Sequence, residues 1–332
     1  MRNDRQRLPG ANGEGSRVSF PGVSFRTYEH PAALTALIAM KRARGFDLLL
    51  KKVHGAVGEP VVRMQHLTSA VRVGPRQFPR LHGLKEEAAG VLDLPETPEL
   101  YVRSMGEVNA FAVGMDRPFL VLSSELVDVM NEDEIRFVLG HELGHVLSGH
   151  VLYQTVARII ASIGLASFPV AGLALEAVDA ALKDWTRKSE LSCDRAGLLV
   201  AQDLDVAVRA LMKLVVGARA EEMNPAEFLQ QAAEFELDAT GWRNRVYKHL
   251  MPSGSHPILV LRASELDRWV RHGDYERILR SGEYEMRSED GQATFRGGLR
   301  DHIREMKDKR DQKAADRALR GYAPPAQRGN DD

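Results

Sequence analysis

Apolar residues in this chain recur mostly at helical spacing, with one short block that reads as β. His30-Pro31 opens a helix to about Arg44, Gly45 breaks it, and Phe46 to about His54 forms the next. Gly58-Glu59-Pro60 reads as a turn, and Val61 to Val73 fits strand or helix equally well. Gln77 to Val91 is helical again. After Pro98 the pattern changes. Leu100 to Val102, Val108 to Val113 and Phe119 to Ser123 read as three strands, the last a continuous apolar run between Pro118 and Ser124. Asn131, followed three residues later by Glu134, then predicts a capping box. The helix it opens carries Phe137, Val138, Leu139, Val146 and Leu147 and is expected to be buried. Further helices are expected over Asp205 to Val216, from Asn224-Pro225 to about Glu236, over Gly241 to about Leu250 and over Leu259 to about Val270. The fold class is therefore α+β and mostly helical, with a small sheet beside the Asn131 helix.

Polarity marks the boundaries. Residues 1–24 hold no apolar run of signal-peptide length and read as a disordered lead-in. From Ser281 the chain turns polar, so 281–332 is expected to be a charged tail and 25–280 the folded domain. Ile159 to Leu175 is 17 residues without a charge, at the lower edge of membrane-spanning length. Gly164, Pro169 and Gly172 interrupt it, which favours a buried helical hairpin over membrane association or a true span. A formal net charge of −1 points to no nucleic-acid partner. The single cysteine, Cys193, excludes an intrachain disulfide and suits a reducing compartment. It reads as a small buried filler, the alternative being a redox-sensitive or metal-proximal thiol.

The chemistry lies in the Asn131 helix. His141-Glu142-Leu143-Gly144-His145 puts two imidazoles roughly 40° apart on one helix face, a spacing that lets both bind one Zn²⁺. Glu142 sits on the shoulder of that face, where it could act as general base toward a metal-activated water. A catalytic zinc usually takes three protein ligands. His150 is rejected, because nine residues beyond His141 it would point to the far side of the same helix. A metzincin pattern fails too, since Ser148 and Val151 stand where it needs Gly and His. The best source is Trp185 to Gly197. Glu190 and Asp194 lie one turn apart amid Leu191, Cys193, Ala196, Leu198 and Leu199. Glu190 could complete the ligand set, and Asp194 could accept the free N–H of a ligand histidine. A solvated helix face is the alternative for this pair.

Together these motifs resemble the M48 family of gluzincin metallopeptidases, which includes the CAAX-prenyl endopeptidases and the HtpX-type quality-control proteases. The matching residues are His141-Glu142 with His145, then Ser189-Glu190-Leu191 with Asp194-Arg195-Ala196, then Ser255-His256-Pro257 with Arg262, over roughly residues 60 to 270. Val108 to Ala112 and Pro118 to Ser123 extend the likeness upstream. The family's several transmembrane helices are not evident, so the resemblance implies a soluble or peripheral member, here expected to be cytoplasmic or peripheral to a membrane. It also implies a zincin-like domain with an edge strand lining the cleft, and it places Asn109 and Ala110 against substrate; Asn109 as a plain turn residue is the competing reading. It puts His256 beside the metal, to stabilise an oxyanion or fill the open position in a resting form, though a loop histidine before proline is as often structural. Arg262 is expected either to pair with a carboxylate near the site or to lie on the surface.

The expected activity is zinc-dependent endopeptidase, one Zn²⁺ per chain, acting on a polypeptide, with quality control the physiological setting the family suggests. Two other readings compete. One is a chaperone-like binder of extended segments with a latent metal site; the other is an interaction module with a structural zinc, which Glu142 beside a three-ligand metal argues against.

Overall fold

The computed structural model describes residues 7–8, 17–43, 46–164, 175–238 and 259–290. The chain divides into two compact units, Met1–Glu285 and Met286–Asp332. In the second, the described part is a short helix, Arg287–Asp290.

The first unit is helical around one small sheet. Strands β1 (Arg7–Leu8) and β2 (Arg17–Val18) pair with each other. Helices α1 (Pro31–Arg42) and α2 (Phe46–Leu67) follow. Next come β3 (Val71–Arg72), α3 (Pro79–Val91), β4 (Leu100–Arg103), β5 (Ala110–Val113) and β6 (Phe119–Ser123). Helices α4 (Ser124–Val129), α5 (Glu132–Leu147), α6 (Val151–Ile163), α7 (Leu175–Ala201), α8 (Leu204–Val216), α9 (Pro225–Asp238) and α10 (Leu259–Arg271) complete it. The sheet runs β3-β4-β6-β5, with β4 and β6 parallel and the other pairs antiparallel.

Strand β6 is central and covered on both faces, which is why its sequence is apolar throughout rather than alternating. Leu120 and Leu122 enter the core shared with α3, α5, α7 and α8. Phe119 and Val121 enter a second core shared with α1, α2, α6 and α7. β5 is left at the edge, and α5 packs beside it.

Helix α5 begins with the capping box expected of Asn131 and Glu134: Asn131 Oδ1 accepts the Glu134 N–H at 3.0 Å and Glu134 Oε2 accepts the Asn131 N–H at 2.8 Å. Its partner is α7, and three glycines set their separation. A Cβ on Gly140 would lie 2.6 Å from the Val200 Cβ, one on Gly144 2.7 Å from the Ala196 Cβ, and one on Gly197 2.8 Å from the Phe137 carbonyl oxygen. This close approach carries the α7 carboxylates to the α5 histidines.

Several elements depart from expectation. Residues 17–24 belong to the body of the fold: Phe20 and Val23 are fully buried in the core. Their apolar side chains lie too far apart in sequence to register as a run. Gly58 does break the helical backbone (φ 65°, ψ 161°), yet the helix resumes through Pro60 to Leu67, and Val61 to Val73 divides into helix end and strand. Pro is acceptable there because a first helical turn has spare N–H positions. Short α4 was not foreseen; Ser123 caps it by accepting the Leu126 N–H. Of Ile159 to Leu175, Ile160 on α6 packs into the core that Val178 and Leu182 of α7 share. Residues 165–174, with Pro169, lie outside the described residues, as do the Gly241–Leu250 helix and the His256 loop. No helix among the described residues is long and apolar enough to cross a membrane.

Candidate metal centre

One turn separates His141 from His145 on α5, and both rings are buried where α5 faces α7. Their Nε2 atoms stand 3.2 Å apart. Glu190 of α7 closes the triangle, with Oε2 3.3 Å from His141 Nε2 and Oε1 3.3 Å from His145 Nε2. A tetrahedral zinc with ligand atoms at about 2.0–2.1 Å holds those atoms about 3.3–3.4 Å apart. Two imidazoles and a carboxylate at this separation fit such an ion in both geometry and donor chemistry. The group opens onto a cleft of about 260 Å³, whose lining includes Glu142 from α5, Asn109 and Ala110 from the β5 rim, and Arg158 from α6.

Behind His141 stands charge. Asp194 Oδ1 lies 3.0 Å from His141 Nδ1 and can accept its proton, which leaves Nε2 facing the cleft. Arg262 donates to both Asp194 oxygens, from Nε at 2.7 Å and Nη2 at 2.5 Å, and its Nη1 lies 3.2 Å from Glu190 Oε2. Burial alone would raise the Asp194 carboxyl, but Arg262 and the His141 contact outweigh it and hold Asp194 below the ordinary carboxylate value. Burial pushes the His141 imidazolium down, and the hydrogen bonds to Asp194 and Glu190 outweigh that and raise it to about 9. A metal must therefore displace a proton there.

Behind His145 the groups are neutral. His150 Nδ1 lies 3.3 Å from His145 Nδ1, and Gln154 of α6 reaches His145 Nδ1 at 3.2 Å and donates to Glu190 Oε1 at 3.3 Å. Burial, then the neighbouring His145, holds the His150 imidazolium well below its ordinary value. The expectation that His150 points away is thus corrected. Helix α5 ends in a Schellman motif: Gly149 takes φ 66°, the Gly149 N–H bonds the Val146 carbonyl and the His150 N–H bonds the His145 carbonyl. The chain folds back, and His150 leads into α6 with its ring against His145. The Ser148-Gly149 pair was the sequence signal for this turn. Cys193 Sγ lies 3.6 Å from His150 Nδ1, and burial raises the thiol well above its ordinary value. His145, His150 and Cys193 also lie close enough together to hold an ion.

The structure thus brings together His141, Glu142, His145, Glu190, Asp194 and Arg262, with Asn109 and Ala110 on the rim. The Asn109 N–H donates to Ser123 Oγ, and its side chain spans Glu107 and the Ala110 N–H. His256 lies outside the described residues. Sequence reading missed Gln154, Thr155 and Arg158, since nothing in the α6 sequence shows that it crosses the outer edge of β5.

The sequence profile described as Peptidase family M48 matches residues 75–270. The plastoglobule-localized metallopeptidase 48 of Arabidopsis thaliana chloroplasts is 35% identical over 267 residues, covering 77% of this chain and 76% of that protein. A protease HtpX homologue of Caldanaerobacter subterraneus is 33% identical over 96 residues, 28% of this chain and 32% of the relative. One from Ralstonia pickettii is 28% identical over 178 residues, 46% of this chain and 61% of the relative. This chain therefore spans about a third to three-fifths of those two HtpX homologues. No solved structure matches. The chain belongs to peptidase family M48. It is a metalloprotease that acts on polypeptides, and its buried His–His–Glu group is able to hold the metal ion that the family implies.

Proposed function

We propose that the chain is a zinc metalloendopeptidase in which His141, His145 and Glu190 hold one Zn²⁺ and Glu142 is the general base. The observation that carries this is the convergence of His141 Nε2 and His145 Nε2, 3.2 Å apart, on the Glu190 carboxylate, whose Oε2 lies 3.3 Å from the first and Oε1 3.3 Å from the second. Zinc held there supplies a Lewis acid for the scissile carbonyl and lowers the pKa of a bound water toward about 7. The Glu142 carboxylate, lining the same cleft, takes a proton from the attacking water and returns it to the departing amine. Asp194 fixes the His141 tautomer, and Arg262 balances the charge of Asp194 and Glu190. Asn109 and Ala110 meet the substrate, which adds as a strand to the open edge of β5. His256 is assigned the oxyanion role that the family resemblance implies.

Quality control is the setting that the family resemblance suggests. The relative named for plastoglobules is compatible with a place beside lipid, and the single cysteine with a reducing compartment, so we place the chain in the cytoplasm or at a membrane periphery. Unfolded casein incubated with wild type and with Glu142→Gln tests the mechanism. Cleavage by wild type with a loss of about 10²–10⁴-fold in the variant is expected. Equal cleavage by both would overturn the role of Glu142. Binding of casein without cleavage by either would favour the chaperone-like reading.

A further inference from the structure

In an antiparallel pair, alternate residues turn both main-chain groups toward the partner strand. The Ser123 N–H donates to the Asn109 carbonyl, and β5 pairs with β6 through Phe111↔Val121 and Val113↔Phe119. Asn109, Phe111 and Val113 therefore face β6, and Ala110, Ala112 and Gly114 face outward. Helix α6 occupies part of this outer edge. Arg158 Nη1 donates to the Ala112 carbonyl at 2.6 Å, and Thr155 Oγ1 accepts the Gly114 N–H at 3.1 Å. From the Ala112 carbonyl onward the edge is closed. A strand laid on β5 over the metal centre must end or turn where it meets Arg158.

Arg158 at that stop is half-buried as a residue, its guanidinium lies over the Phe111 ring at 4.8 Å from the centroid, and it lines the cleft. One N–H goes to Ala112 and other donors of the fork remain. Arg262, which also lines the cleft, is engaged by Asp194 and Glu190. Among the described residues no carboxylate comes within 4.0 Å of the Arg158 guanidinium; Glu142 and Glu190 act on it only from farther off. A cation so placed recognises a carboxylate, which matches its planar fork.

We infer that Arg158 is a specificity-determining residue of the protease, receiving a carboxylate of the substrate at the closed end of the β5 edge. That carboxylate is an Asp or Glu side chain or the terminal carboxylate of the chain. The inference rests on the proposed cleft as the site of peptide cleavage.

The test uses a casein-derived peptide that the protein cleaves. It is remade with Glu in place of Gln at successive positions, and with a free or amidated C-terminus. For wild type, one carboxylate-bearing member is expected to show kcat/KM about tenfold above its amide twin, consistent with a charge-assisted hydrogen bond. A gain at an internal position identifies a side chain; a gain confined to the free terminus identifies the terminal carboxylate. Arg158→Gln should abolish the gain, and Arg158→Lys should keep part of it, with zinc content unchanged in both. Equal kcat/KM for all twins in wild type would overturn the inference alone, and needs no variant to fold. A gain that survives intact in Arg158→Gln would overturn it as well. Failure of wild type to cleave any peptide would fail the proposed function and take the inference with it.

Discussion

His141 and His145 are one turn apart on one helix, present the same nitrogen to the same cleft, and are backed in opposite ways. Asp194 and Arg262 stand behind His141, while a neutral imidazole and an amide stand behind His145. The difference extends to the nearest acid on each side. Asp194 is held ionised by Arg262 and drops below its ordinary value. Glu29, whose Oε2 lies 3.9 Å from His150 Nε2, is buried, and burial raises it to about 7 against a hydrogen bond from Ser192 and the attraction of Arg195. At neutral pH the same functional group is thus charged on one side and about half protonated on the other, according to whether a guanidinium bonds the carboxylate directly. A carboxylate behind a ligand histidine raises its basicity, and an imidazole can only orient it. The two histidines should therefore contribute unequally to holding a metal.

The largest effect expected along this contrast is on Glu29. A carboxyl raised from 4.5 to about 7 gives full stability below pH about 4.5. It loses stability as pH climbs from there to about 7, because only the unfolded chain ionises freely. The loss is on the order of 3 kcal/mol. Glu29→Gln removes it, so thermal melts of the variant should match wild type near pH 4.5 and lie above it at pH 8. A lower melting temperature at pH 8 would show Glu29 to be an ordinary paired carboxylate, and the contrast with Asp194 would vanish.

Next in size is Asp194→Asn. The amide oxygen can still accept the His141 N–H, but the charge is gone, and zinc affinity measured by chelator competition should fall about 10–100-fold. His150→Gln should cost less than tenfold in the same assay, since one neutral partner replaces another and Gln154 stays in place. A larger loss for His150→Gln than for Asp194→Asn would reverse the comparison.

What could be read from sequence follows the same division. Glu190 and Asp194 sit at helical spacing in an apolar setting, and the Asn131–Glu134 box marks where α5 starts, so the charged half of the centre is local pattern plus one pairing of helices. The neutral half depends on where α5 stops. Treating His150 as a continuation of the helix turned it away, whereas the left-handed Gly149 folds it back. Arg158 and Thr155 act only because α6 crosses the edge of β5, a long-range relation with no local trace. The strands were legible because β6 is apolar on both faces, while the share of residues 17–24 in the core was not, because Phe20 and Val23 are isolated among small and polar neighbours.

The central claim is that His141, His145 and Glu190 together hold one zinc and that Glu142, beside them, does not. Zinc per chain in purified wild type, Glu142→Gln and Glu190→Ala measures this directly. One ion in the first two proteins and a substoichiometric amount in the third is the predicted result. A full equivalent retained by Glu190→Ala, or zinc lost from Glu142→Gln, would contradict it.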